Sequence, residues 1–214
     1  MTSKIFNSNE AKILADIIHH RRDVRGNLFS DEPVSDDDLN ALLNSALEAP
    51  SVGFSQPWEF VIIRDSATKT AVRASFLTET EKGKALFDSE RQKLYAQFRL
   101  EGVVEAPINL AIFHKPTKGP TLGATSMTEM EVYSVVCAVQ NIWLTARSLN
   151  IGVGWLSIIS PDKIKSILNA PKDRTLVAYL CVGHVKEFLE EPELQTAGWD
   201  YKKRFEEVVF NEGY

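Results

Sequence analysis

Gly152-Val153-Gly154-Trp155-Leu156-Ser157 follows the long apolar stretch from Val132 to Ala146 and the helix stop Asn150-Ile151-Gly152. Its two glycines look superficially like a dinucleotide-binding fingerprint. The G-x-G-x-x-G spacing is missing, however, and the glycines come after a helix, where the fingerprint needs a preceding strand. A Rossmann fold is excluded on both counts. Gly152 to Ile159 instead reads as a strand, in which glycine at alternate positions leaves room for a ligand to approach the backbone closely.

The preceding helix, from about Glu129 to Leu149, is hydrophobic on nearly every face, as expected of a central helix or of one buried by a partner subunit. It carries Gln140 and Asn141 and falls short of the roughly 20 apolar residues that span a bilayer. Downstream, Ser160-Pro161 caps and starts a short helix through Leu168, and Leu176 to Val182 supplies a buried strand. Upstream, a short strand begins near Trp58 with Phe60 to Ile63, and another runs from Asn109 to Phe113. Residues 67–101 between them form a charged helical excursion and a candidate lid.

Ser35 to Asp38 resembles a capping box ahead of Leu39, Leu42, Leu43, Ala46 and Leu47 on one helix face. Ile13, Leu14, Ile17 and Ile18 recur at helical spacing before the basic run Arg21-Arg22-Asp23-Val24-Arg25, which therefore falls at a helix end. Helices and strands alternate, which indicates α/β or α+β. With no repeat or Gly/Ser linker, residues 1–214 are expected to form one domain. The polar tail 187–214, with embedded Leu194, Trp199, Phe205 and Val209, reads as an arm packed onto another surface, such as that of a second subunit.

The chain has 214 residues, 44% hydrophobic and 25% charged, with a net charge of -5. That acidity provides no basic field for nucleic acid. Cys137 and Cys181 lie in apolar segments and the four histidines are scattered, so the expectation is two core thiols and no metal site. The polar N-terminus, Met1 to Glu10, lacks the apolar segment of a secretory signal, so a cytoplasmic protein without a membrane association is expected.

Two segments could carry chemistry. Arg21, Arg22 and Arg25 offer guanidinium forks that bind phosphate oxygens bidentately, although a basic run at a helix C-terminus can also simply complement the dipole. Pro50 and Pro57 bracket a shaped loop in which Ser51, Gly53, Ser55 and Gln56 stand beside Phe54 and Trp58. That combination suits a planar heteroaromatic ligand, and equally a rigid turn with none.

Taken together, Arg21-Arg22-Asp23-Val24-Arg25, Ala49-Pro50-Ser51 with Gln56-Pro57-Trp58, and Gly152-Val153-Gly154-Trp155 resemble the ordered landmarks of the nitroreductase family over nearly the whole chain. The resemblance implies an α+β fold with a mixed central sheet surrounded by helices, an intertwined homodimer, and FMN at the subunit interface. Asp23 stands where a serine is usual and Phe54 where an asparagine usually meets the flavin. Both departures, with Pro50-Ser51-Val52-Gly53-Phe54 and Gly152 to Ser157, are similar to the branch of the family that fragments FMN, the 5,6-dimethylbenzimidazole synthases. Ser55, where a bulkier apolar residue is expected, departs from that branch.

The resemblance implies that reduced FMN is substrate, that molecular oxygen is co-substrate, and that free reduced flavin or a flavin reductase supplies the electrons. It implies FMN contacts from Arg21, Arg22, Asp23, Val24, Arg25, Ser51, Gly53, Gln56, Gly154, Trp155, Leu156 and Ser157. Asp23 and Ser157 would be the catalytic residues, and Phe54 would leave an apolar space for oxygen. The alternatives are an NAD(P)H-dependent FMN oxidoreductase acting on nitroaromatics, quinones or halogenated aromatics, and a flavin-binding module without catalysis.

Overall fold

A computed structural model describes residues 3–214, so Met1 and Thr2 of the polar N-terminus lie outside the described residues. Four strands, β1 (Trp58–Ile63), β2 (Ile108–His114), β3 (Ile151–Leu156) and β4 (Thr175–His184), form one sheet in the order β1-β2-β4-β3. All three ladders are antiparallel. The parallel component of the expected mixed sheet is confined to a single bridge between Asp23 and Val153. The inner strands β2 and β4 are buried along most of their length, which is why Leu110 to Phe113 and Ala178 to Val182 read as continuous apolar runs without alternation.

The helices are α1 (Ser8–His20), α2 (Asp36–Leu47), α3 (Ser66–Lys84), α4 (Ser89–Tyr95), α5 (Met130–Ser148), α6 (Pro161–Ile167) and the single turn α7 (Glu193–Thr196). None is long and apolar enough to cross a membrane. One core packs α2, through Leu39, Leu42 and Ala46, and α5, through Val135, Val139 and Ile142, onto the sheet face that carries Leu110, Ile112 and Leu180. The other packs Val72 and Phe76 of α3 and Ile164 of α6 against Ala111, Phe113 and Tyr179 on the opposite face. Strand period 2 explains the division: adjacent residues of β2 and β4 point to opposite cores.

Local signals behave as their chemistry requires, with three corrections. Ser160 caps α6 by accepting from the Lys163 amide, with Pro161 in the first turn, and this ends β3 at Leu156, short of Ile159. Ser35 makes only half of a capping box: it accepts from the Asp38 amide at 3.0 Å, but its hydroxyl donates to the Asp38 carboxylate at 2.6 Å. The reciprocal box sits unforeseen at Asn7 and Glu10. The candidate lid is not free along its length. Lys69 in α3 is buried, and its ammonium donates to the carbonyls of Ala106 at 2.7 Å and Pro107 at 2.8 Å, so the first half of α3 is fastened to the entry of β2.

The glycines of β3 also serve a different end from the one expected. A Cβ at Gly154 would overlap the Val24 carbonyl oxygen, and one at Gly152 would overlap Val185 and press on Val24. The space they leave is filled by the chain itself, which docks residues 23–24 against β3. Gly154→Ala is therefore expected to destabilise the protein by about 1–3 kcal/mol through overpacking against unyielding backbone, read as a lower urea midpoint. An unchanged midpoint would show that the docking is loose.

Candidate active site

The basic run leaves α1 in extended conformation at Arg21 and lies along β3. The Val24 amide donates to the Val153 carbonyl at 3.0 Å, and the Trp155 amide donates to Asp23 Oδ1 at 2.9 Å. Asp23 Oδ2 pairs with Arg25. Burial pushes the Asp23 pKa above the ordinary carboxylate value, and the nearby charge of Arg25, the Trp155 amide and the Arg21 charge pull it only partly back. A carboxyl so placed exchanges its proton nearer to neutrality than an ordinary aspartate.

The three arginines have different tasks. Arg21 lies over the Trp143 ring, 4.7 Å from its centroid, and none of the described residues accepts a hydrogen bond from its guanidinium. Arg25 pairs with Asp23 and donates to the Leu100 carbonyl at 3.2 Å. Arg22, expected as a phosphate contact, donates to the carbonyls of His19 at 2.7 Å and Arg21 at 2.8 Å, and also to that of Glu190. The physical reason is that a helix C-terminus presents unsatisfied carbonyls, which a guanidinium one residue beyond can cap at once. Arg22 is thus a clamp from α1 to the C-terminal segment, and it still lines the same cavity as Arg21 and Arg25. Arg21, Arg22, Asp23, Arg25 and Leu100 line a cavity of about 200 Å³ that is covered by Leu189 and by residues 192–194. In sequence Pro192-Glu193-Leu194, with Ala197-Gly198-Trp199, carries a resemblance to the synthase branch, but nothing in it says that the segment folds back over this cavity.

The loop from Ser51 to Gln56 is shaped, as its prolines require. Gly53, Phe54 and Gln56 have φ of 55°, 55° and 47°, and the Gln56 amide donates to Ser51 Oγ at 3.1 Å. The Val52 amide donates to Ser134 Oγ at 3.0 Å, near the start of α5, whereas Arg21 stacks on Trp143, near its end. At 1.5 Å per residue the two anchor points are separated by roughly 13 Å along the helix axis. One chain therefore does not bring Ser51, Gly53, Phe54 and Gln56 to the Asp23 cavity. The Phe54 ring is 83% exposed on the loop. Ser157 is exposed just beyond β3 and, with Trp155 and Leu156, lines a separate cavity of about 120 Å³.

The loop has a support that sequence reasoning missed. Glu131, in the first turn of α5, accepts from the Thr121 hydroxyl at 2.5 Å and the Thr117 amide at 3.3 Å, and contacts His114 Nε2 at 2.9 Å. This fastens residues 117–121 beneath the turn at Gly53, where a Cβ would come within 2.7 Å of the Leu122 carbonyl. An acidic residue opening an otherwise apolar helix was the one available signal, and it pointed only to the helix dipole.

The Nitroreductase family profile matches residues 18–184, from the end of α1 through β4. The chain belongs to the nitroreductase family. It is 38% identical, over 94% of its length and 96% of the relative's, to the 5,6-dimethylbenzimidazole synthase of Rhodospirillum rubrum. Among solved structures, a BluB-like flavoprotein from Clostridium difficile 630 superimposes with a TM-score of 0.70 at 21% identity, covering 94% of this chain and 99% of that one. Oxidised iodotyrosine deiodinase bound to FMN and 3-iodo-L-tyrosine gives 0.73 at 22% identity, with the same coverage. At those identities the superpositions establish the fold.

Burial raises the Glu131 pKa, but hydrogen bonds from Thr117, Thr121 and His114 outweigh it and hold the carboxyl down at about 2. Because the folded pKa lies below the ordinary 4.5, the stabilisation is complete above about pH 4.5 and is lost as pH falls towards 2. Glu131→Gln is expected to cost on the order of 2 kcal/mol at pH 7 and progressively less in acid, measured by denaturant unfolding across pH. A cost independent of pH would contradict the network.

Proposed function

We propose that the protein is a 5,6-dimethylbenzimidazole synthase that acts as a homodimer on reduced FMN and molecular oxygen. The observation that carries this reading is Asp23, a carboxyl with an upward-shifted pKa held by the Trp155 amide in the same cavity as the free guanidinium of Arg21. The similarity over nearly full length to a synthase of that name supports it. Reduced FMN supplies both the electrons for oxygen and the carbon atoms of the base, so it is consumed, and an external flavin reductase or free reduced flavin replenishes it.

In this reading Arg21 and Arg25 hold the flavin phosphate bidentately. Asp23 faces the ribityl chain and accepts and returns the protons that its cleavage requires. Gly154, Trp155, Leu156 and Ser157 lead from the phosphate end towards the ring edge, where the Ser157 hydroxyl donates. Val24 contributes through its backbone, which keeps Asp23 in register with β3.

The cavity of about 200 Å³ is smaller than the roughly 300–1,000 Å³ usual for a small-molecule site, so a second copy is needed to complete it. Ser51, Gly53 and Gln56 of that copy supply the hydrogen-bonding edge, and its exposed Phe54 supplies the apolar wall. Apolar side chains that one chain leaves uncovered, Ile13, Leu14 and Ile18 on α1 and Tyr133 and Val136 on α5, give the homodimer an area to bury. Phe205, Val209 and Phe210 of the C-terminal arm are exposed in the same way.

Excess reduced FMN mixed anaerobically with the protein and then exposed to oxygen is expected to yield 5,6-dimethylbenzimidazole in proportion to the flavin lost, as read by absorbance and mass spectrometry. Asp23→Asn is expected to lower product formation at least about 100-fold while retaining FMN. The acid limb of the wild-type pH profile is expected above the ordinary carboxylate range, because burial raises the Asp23 pKa. Full recovery of oxidised FMN without the base would overturn the reading in favour of an NAD(P)H-dependent oxidoreductase.

A further inference from the structure

The cover over the Asp23 cavity is built from two segments far apart in sequence, and their connection runs through one side chain. The strap from residue 187 to 194 is fastened at its start, where the Phe188 ring lies 4.0 Å under the Arg147 guanidinium and the Glu190 carbonyl accepts from Arg22. Past α7, the chain ends this path in Trp199. Its ring packs edge-on against Phe87 at 5.1 Å and Phe98 at 5.8 Å, with Tyr95 at 6.2 Å and the Arg91 guanidinium at 4.9 Å. All four partners belong to α4 or its flanks, and the same segment continues into Leu100, which forms the opposite wall of the cavity. Between α4 and the second half of α3 lies another cavity of about 470 Å³, bounded by Phe76, Tyr95, Phe98 and Leu100. Tyr95, itself buried, seats α4 on the molecule, and Trp199 joins that helix and its flanks to the strap.

We propose that Trp199 is a positioning residue that makes α4 and the 187–194 strap a single cover over the Asp23 and Arg21 cavity, so that both walls open and close together. Aromatic contacts of this kind are strong enough to bias a local opening and too weak to hold up the whole fold. The consequence for chemistry rests on the synthase reading. A cover that opens on one side admits water and lets reduced FMN leave its pathway by direct reoxidation, in which FMNH2 and O2 give FMN and H2O2. A cover that closes as one body retains the flavin until its ribityl chain is cleaved.

Hydrogen exchange in the free protein tests the coupling without any turnover. Trp199→Ala is expected to speed amide exchange about tenfold or more in both residues 86–98 and 187–197, with β2 and β4 unchanged, and Trp199→Phe is expected to restore both. Arg91→Ala, a milder lesion at an exposed position, is expected to speed the same two segments to a lesser degree. Acceleration confined to 187–197, or none, overturns the proposal. In turnover with reduced FMN and oxygen, Trp199→Ala is expected to raise the ratio of H2O2 to benzimidazole several-fold, and Trp199→Phe to return it. An unchanged ratio overturns the protective role. Should wild type form no benzimidazole, the synthase reading fails while the exchange result still decides the coupling.

Discussion

The hydrogen bond from the Trp155 amide to Asp23, with the Val24 to Val153 bond beside it, is the contact on which the site depends. It exists only because Gly154 has no side chain and lets the backbone of residues 23–24 lie flat against the edge of β3. From that docking the rest follows in order. Arg21 is brought onto the Trp143 face, Arg25 is paired to the carboxylate, and Arg22 is left one residue from the open end of α1, where backbone carbonyls claim it. A cavity lined by arginines and a carboxyl of raised pKa thus arise from one local constraint, set by a glycine spacing.

Much of the fold was readable from the sequence, and for identifiable reasons. The core strands β2 and β4 are continuous apolar runs because both faces are covered, and α2 and α6 begin at Ser35 and Ser160, whose hydroxyls cap. The family landmarks named Arg21, Asp23 and the β3 residues together; the Trp155 amide does bond Asp23, whereas Leu156 and Ser157 line a separate cavity. What escaped reading depends on direction and distance. Nothing in residue types says that the Ser51 to Gln56 loop and the arginines sit at opposite ends of α5. The room made by Gly152 and Gly154 could equally have served a ligand or the chain, and only packing against Val24 and Val185 decides it. Glu131 is invisible to periodicity, and Leu100 and Pro192 to Leu194, though they resemble the synthase branch in sequence, show their place around one cavity only through tertiary contacts.

The energetic design separates a rigid base from a lighter cover. The sheet, α2, α5 and the first half of α3 bury the large apolar side chains, and the buried Lys69 and Glu131 fasten loops to that base through backbone and hydroxyl groups. The strap and α4 are held by the Arg22 clamp, the Arg147–Phe188 contact and the Trp199 aromatic cluster, contacts of the size that permit local opening. Meanwhile one chain leaves apolar faces of α1 and α5 uncovered and the Ser51 to Gln56 loop distant from Arg21. The proposed homodimer would resolve both at once, since an association that buries those faces can carry a loop from one protomer to the cavity of the other.

Subunit complementation tests that central claim most directly. An Arg21→Ala chain lacks the anion anchor, and a Gly53→Val chain forces a β-branched residue into positive φ against the Leu122 carbonyl, so each homodimer is expected to be inactive. If each site takes its arginines from one chain and its loop from the other, a mixed dimer contains one doubly damaged site and one intact site. Random assortment should then restore roughly a quarter of wild-type product formation. Mixed dimers that remain as inactive as their parents would show that each site is built within one chain, and would contradict the account.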